Sequence, residues 1–393
     1  MLSSKQSIFI VVILIACLGT IATDIYTPSI SAISGYFHVK VNITQFSMAI
    51  FMISFAGSQL IYGPFSEVFG RRTPLLIGIS IVFVGSLVCA FAPSIEILLL
   101  GRFIQGCGAG AGPLFRPIFR DTFTGSELSK YGSYAALVMI FLIPAAPMLG
   151  GYLQYFLGWR ASFFFVSLYA MLGIVLVMFV LKETNVHHHK ERARFKFIVG
   201  TFKELLSSRV FMGYAFCTFV SYGAFFSWFV TGPVLLIHNL GMTPILFGWL
   251  ALFGGSVSMG LSAFINAKLV ERFGVGRMLC LGWSVTFLSG VFLMGVSLFF
   301  PQSIVGVVLS AMLMVFGSTF IWPNIFSAAF TPFGHIAGYA GALYGFMQIG
   351  GGALMGSLMS FLPDKNPLPQ AIVFMSSGLI AWGIYRYVVK STA

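Results

Sequence analysis

KETNVHHHKERARFKFIVGTFKELLSSR, residues 182–209, holds seven basic side chains: Lys182, Lys190, Arg192, Arg194, Lys196, Lys203 and Arg209. On both sides of it the chain is apolar for long stretches, broken only by short polar, Gly or Pro clusters. A helix needs about 20 apolar residues to cross the hydrocarbon core of a bilayer. Read with that window, the sequence before the basic segment gives six spans, near 7–30, 45–63, 73–92, 97–119, 131–154 and 161–181. The sequence after it gives six more, near 210–236, 245–267, 278–299, 303–329, 337–361 and 369–389. The expected fold is an all-α integral membrane protein of twelve transmembrane helices in two halves around a central cavity. Residues 1–181 form one half, 182–209 a basic cytoplasmic loop, and 210–393 the other.

Composition agrees with this. Of the 393 residues, 58% are hydrophobic and only 8% charged, with a mean hydropathy of +0.96. A soluble domain carries about 25% charged residues, so this chain cannot cover a water-facing surface. That excludes a soluble enzyme and a disordered chain. The formal charge of +12 would suit a polyanion partner, but its distribution has another cause. With the N-terminus inside, 17 of the 22 Lys and Arg residues fall in cytoplasmic segments, and only Lys40, Arg160 and Lys365 in outer loops. Cytoplasmic loops of membrane proteins are enriched in this way. No nucleic acid is implied, and both termini are expected in the cytoplasm.

Corresponding places in the two halves share a pattern. After the second span stands GPFSEVFGRRTPLL (Gly63 to Leu76), and after the eighth NAKLVERFGVGRMLCLG (Asn266 to Gly282). Each gives an acidic residue, then Phe-Gly, then Arg. Internal duplication with a midplane binding site is the plan of many membrane transporters.

Among ten acidic residues, Asp24 alone lies well within a span, in GTIATDIYTPSI. An intramembrane carboxylate costs a few kcal/mol and marks a functional site by default. At 1.5 Å per residue, Asp24 lies about 25 Å along its span from the cytoplasmic end. Arg102, on the oppositely directed fourth span, falls at about the same level in the outer half. Arg116 lies near the cytoplasmic end, where snorkelling and a place in the cavity are equally open readings. Gly106, Gly108, Gly110 and Gly112 lie inside an apolar span with no preceding strand, so close helix packing explains them better than a dinucleotide loop. Pro144, Pro147, Gly150 and Gly151 would bend and thin the fifth span at a domain contact. The His187–His189 run has no carboxylate cluster beside it, and no metal site is expected. The five cysteines show no CxxC or pairing pattern. Leu14 to Cys17 looks like a lipoprotein signal, but the apolar run continues to Ile25, too long for a cleavable one.

These motifs resemble a twelve-helix major facilitator, specifically the Bcr/CflA type of drug/proton antiporter. GPFSEVFGRR resembles the superfamily signature between helices two and three. RFIQGCGAG (Arg102 to Gly110) resembles the helix-four signature, PAAPMLGG the antiporter signature of helix five, and Asp24-Ile25-Tyr26-Thr27-Pro28 the helix-one pattern of the subgroup. Smaller matches are Gly158-Trp159-Arg160, Glu183-Thr184 and the stretch from Phe330 to Gln348. The resemblance implies that Asp24 is the proton site and Arg102 its coupling partner. It implies that Glu67, Arg71 and Asp121, with Arg72 beside them, latch the cytoplasmic side when the cavity opens outward. Two departures stand out: Glu67 replaces an Asp, and Val68 replaces an Arg.

The resulting expectation is a proton-coupled exporter of small, largely apolar compounds in a bacterial-type inner membrane. Its partners would be a small-molecule substrate, protons and lipid; it would act as a monomer, with the proton gradient in place of any cofactor. The expected cavity lining is Tyr26, Arg116, Tyr222, Trp228, Trp322, Asn324, Tyr344 and Gln348. With no carboxylate inside any second-half span, coupling must come from the first half. A transporter of one metabolite or siderophore, in either direction, remains the alternative, since Arg102 and Arg116 against Asp24 would favour an anion. An intramembrane enzyme lacks support: HExxH, GxSxG and intramembrane Asp pairs are absent.

Overall fold

The structure is a computed structural model that describes residues 4–184, 195–362 and 366–390. Among these residues every regular element is helical. The first half contains α1 (Ser4–Asp24), α2 (Ile30–Phe37), α3 (Val41–Phe69), α4 (Arg72–Ala90), α5 (Ile95–Ala109), α6 (Phe115–Thr122), α7 (Gly125–Leu157) and α8 (Arg160–Phe179). After the short α9 (Phe195–Ser207) come α10 (Arg209–Pro233), α11 (Pro244–Phe299), α12 (Ile304–Phe330), α13 (Ala337–Phe361) and α14 (Leu368–Ile384). Pairs α1–α2 and α5–α6 are single spans with a break, and α11 makes two spans, so the chain crosses twelve times.

The first span does not end near residue 30. Pro28 removes the N–H that would have bonded the Asp24 carbonyl four residues back. The Thr27 hydroxyl replaces it, donating to that carbonyl at 2.8 Å. One 3₁₀ turn, Thr27–Ser29, then leads into α2, which runs on to Phe37. Asp24 therefore sits at a discontinuity inside a long span, not at its water-facing tip.

α11 is 56 residues long and turns at Gly274, where φ is 78° and ψ 161°. Gly70, at the matching place after α3, has φ 82° and ψ 173°. Side chains rarely adopt this left-handed region, and glycine enters it freely. The Phe-Gly-containing repeats thus build the same backbone turn twice.

The segment expected as a loop contains α9. Ile198, Phe202 and Leu205, spaced four and three apart, place one apolar stripe on the second-half core beside Tyr339. That stripe is long enough to fold a short helix against a neighbour. His187, His188 and His189 lie outside the described residues.

Two long contacts join the halves: α3 against α13 and α7 against α11. Both seams are faced with small residues. A Cβ on Gly151 would collide with the Pro244 carbonyl, and one on Gly248 with the Met148 backbone. A Cβ on Gly63 would come within 2.8 Å of that of Ala342. Within the first half, Gly106, Gly108 and Gly110 let α5 press against the backbones of α3 and α4 in the same manner.

Candidate functional site

Asp24 is 4% exposed. Its carboxylate has no hydrogen-bond partner among the described residues, and the carbonyl two residues before it, that of Ala22, accepts from Arg102.

Arg102 is fully buried. One nitrogen, Nη1, donates at 2.8 Å to the Ala22 carbonyl and at 2.8 Å to Gln105 Oε1. Gln105 Nε2 donates onward to Ser86 Oγ at 2.7 Å. The guanidinium carbon lies 4.3 Å from the ring centroids of both Tyr26 and Phe51. Its remaining groups, Nε and Nη2, have no hydrogen-bond partner among the described residues; aromatic faces accept such N–H groups weakly and attract the charge. The break after Asp24 thus brings the turn that offers the Ala22 carbonyl to Arg102. No ion pair joins Arg102 to Asp24 among the described residues; Arg102 is tied instead to the Ala22 carbonyl, two residues before Asp24.

At the basic end, Arg71 is the hub of a cluster. It donates to Glu67 Oε1 at 3.0 Å, to Ser66 Oγ at 2.7 Å and to Asp121 Oδ2 at 3.4 Å. Glu183 accepts the backbone N–H groups of Arg71 and Arg72, at 2.8 and 3.1 Å, capping the start of α4. Arg72 Nη2 donates to the Met178 carbonyl at 2.7 Å. All these partners belong to the first half except Glu183, which stands just after it. Glu67 comes close to the seam: its Oε1 would lie 2.8 Å from a Cβ built on Gly338, in the first turn of α13.

Two cavities lie between the halves. The larger, about 510 Å³, is at the basic end and is lined by α3, α6, α12 and α13, including Gln59, Arg116, Phe326 and Phe330. The smaller, about 80 Å³, is lined by Thr27, Pro144, Pro147, Phe225, Trp228 and apolar side chains of α11 and α12. At the opposite end the halves are joined: Gln45 Nε2 of α3 donates to the Val230 carbonyl of α10 at 3.1 Å, and Trp249 Nε1 to Tyr152 Oη at 3.1 Å.

The expected lining residues are divided by this geometry. Arg116 lines the larger cavity and Trp228 the smaller. Tyr222 stacks on Phe226, and Trp322 meets Phe225 edge-on at 4.7 Å, both half-buried near the seam. Gln348 is half-buried on α13. Tyr222, Trp322 and Gln348 line neither cavity, and nor do the three other expected residues. Tyr26 is wholly buried within the first half, bonded to Ser47 Oγ at 2.8 Å. Asn324 donates to Asn266 Oδ1 at 2.8 Å, tying α12 to α11. Tyr344 accepts from Thr218 at 3.0 Å inside the second half. Each found its polar partner on a neighbouring helix, which satisfies the buried group. Pro144 and Pro147 line the smaller cavity, Gly151 meets α11, and Gly150 meets the Ile25 carbonyl within its own half. Sequence reasoning gave no role to Gln45, Gln59, Gln105 or Glu183. The three glutamines carried a usable signal, since polar side chains are scarce in membrane spans.

Comparison with known proteins follows the same architecture. The Major Facilitator Superfamily profile matches residues 12–384. The chain is 29% identical to the bicyclomycin resistance protein homolog of Haemophilus influenzae, over 99% of this chain and 98% of that one. It is 25% identical to multidrug resistance protein D of Escherichia coli, over 95% and 93%. Among solved structures, the inward-open xylose transporter XylE from E. coli superposes with a TM-score of 0.77 at 16% identity, covering 98% of this chain and 96% of that one. With twelve crossings, an internal duplication and a seam between two six-helix halves, the chain belongs to the Major Facilitator Superfamily and is a membrane transporter, not an enzyme.

Proposed function

We propose that this protein exports small, largely apolar compounds from the cytoplasm in exchange for protons. The observation that carries the reading is Asp24: a carboxylate 4% exposed, at a helix break inside a membrane span, beside a buried Arg102. A carboxylate in that setting changes its protonation when its surroundings change, because burial favours the neutral form and a nearby cation the charged one. Movement of the halves alters both, which couples proton uptake to the exposure of the cavity. The names of the relatives, which speak of bicyclomycin and multidrug resistance, support export. The mainly apolar lining of both cavities supports the substrate class. The basic end would face the cytoplasm of a bacterial inner membrane, with both termini there, and a monomer would suffice because both cavities lie within one chain. The test is flux in proteoliposomes with an imposed pH gradient, using a panel of neutral, cationic and anionic aromatic compounds. Uptake that follows the gradient and collapses with it supports the reading; uptake indifferent to the gradient refutes the coupling.

A further inference from the structure

We infer that the 510 Å³ cavity at the basic end is a binding site for aromatic compounds that carry an anionic group, with Arg116 and Gln59 as its recognition residues. This rests on the transport reading and narrows its substrate class. The cavity has the volume of a site for a drug-sized molecule, about 300–1,000 Å³. Its charges are unequal. The carboxylates of Glu67 and Asp121 are both engaged by Arg71, whereas Arg116 has no acidic partner and no hydrogen bond among the described residues. Its side chain is exposed into the cavity, with the guanidinium carbon 4.8 Å from the ring centroid of Phe326. A second, independent group points to the same ligand. Gln59 is 4% exposed and lines the cavity, yet its Nε2 has no hydrogen-bond partner among the described residues. A buried amide left without an acceptor is costly, so a ligand oxygen there would be favoured.

The unpaired groups are therefore donors: a guanidinium, whose planar fork suits a carboxylate or sulfonate, and an amide N–H₂. Phe326 and Phe330, both on α12, supply aromatic surface for a ring. A cationic aromatic compound would meet Arg116 with like charge, so the cavity also selects against that class.

The test compares two probes with one ring system, dansyl sulfonate (anionic) and dansyl amide (neutral), by fluorescence titration of the full chain in lipid nanodiscs without any gradient. The wild type should bind the sulfonate at least about tenfold more tightly, a difference of about 1.4 kcal/mol. Arg116→Gln should lose that preference, Arg116→Lys should keep part of it, and Gln59→Leu should weaken the sulfonate more than the amide. Monodispersity and thermal midpoint of each variant report folding. Equal affinities in the wild type, binding of neither probe, or a preference that survives in folded Arg116→Gln would each overturn the inference. Because no proton gradient is used, these outcomes leave the coupling reading to the flux assay, and a failed flux assay leaves this one standing.

Discussion

Gln45 and Val230 are the donor and acceptor of a buried hydrogen bond that crosses from one half of the molecule to the other. The donor is a side-chain amide 1% exposed, and the acceptor is a main-chain carbonyl on a fully buried residue, 3.1 Å away. The carbonyl is available because α10 loses its regular ladder here: Pro233 has no N–H to give, and the Val234 N–H bonds instead to Thr231. Chain-breaking chemistry in one half thus presents an acceptor to the other.

Gln45→Leu should release this clasp and shift the protein toward conformers open at the end opposite the basic one. A buried neutral hydrogen bond is worth about 0.5–1.5 kcal/mol net, so the population ratio should move roughly 2- to 10-fold. Distances between spin labels at the opposite ends of α3 and α10 would read the change; an unaltered distribution in Gln45→Leu would show that the bond does not bias the equilibrium.

Asp24→Asn should abolish proton-driven transport, down to the level of empty liposomes, while the protein stays folded. The amide keeps the shape of the side chain but cannot cycle a proton. Flux assays paired with a thermal melt decide this. Wild-type accumulation against a gradient by the variant would remove Asp24 from the coupling step.

Arg102→Leu should destabilise the first half and also stop coupling. It leaves the Ala22 carbonyl and Gln105 without their donor, at about 1–3 kcal/mol for each buried group left unpaired. Arg102→Lys should recover part of the charge effect but little of the packing, since an ammonium lacks the planar contact with Tyr26 and Phe51. The pH profile of substrate binding should differ between these variants and the wild type; a superimposable profile would reduce Arg102 to a structural residue.

At the basic end, Asp121→Ala should loosen Arg71 and, through it, Glu67, which lies on α3 against the start of α13. The expected result is a shift toward conformers open at the basic end. Val68→Arg, which adds a cation beside the cluster, should shift the other way. These pairs are largely shielded from water, so each is worth more than the about 0–1 kcal/mol of an exposed pair. In Asp121→Ala, however, Arg71 keeps Glu67 and Ser66, so the shift should be partial. Spin labels at the basic ends of α3 and α13 would measure them, and identical distributions in both variants would assign these charges to topology alone.

The sequence made the spans legible because hydropathy reports length and apolarity, which is all a membrane crossing demands. It read α13 at 337–361, as observed, and the repeated Phe-Gly at Gly70 and Gly274 marked two equivalent turns. It could not say which face of a span looks inward. In water a polar stripe marks the outer face, but in lipid both faces are apolar, so Tyr26, Asn324 and Tyr344 looked as suited to a cavity as Arg116 and Trp228. The continuation of span one past Pro28 was hidden for a different reason. Proline ends a helix when nothing replaces its missing donor, and the replacement by Thr27 depends on local geometry.

The glycine-faced seams set how the two halves can travel. Where α7 meets α11 and α3 meets α13, backbone lies close to backbone, with few side chains to withdraw from sockets before movement begins. Such surfaces act as bearings. With so little side-chain interlock along them, hydrogen bonds across the seam, such as Gln45 to Val230 and Trp249 to Tyr152, are the specific contacts that a movement of the halves would break. Speed and bias are then separate properties of this molecule: bulk added along a bearing would slow every stroke in both directions, whereas a changed clasp would alter only where the motion comes to rest.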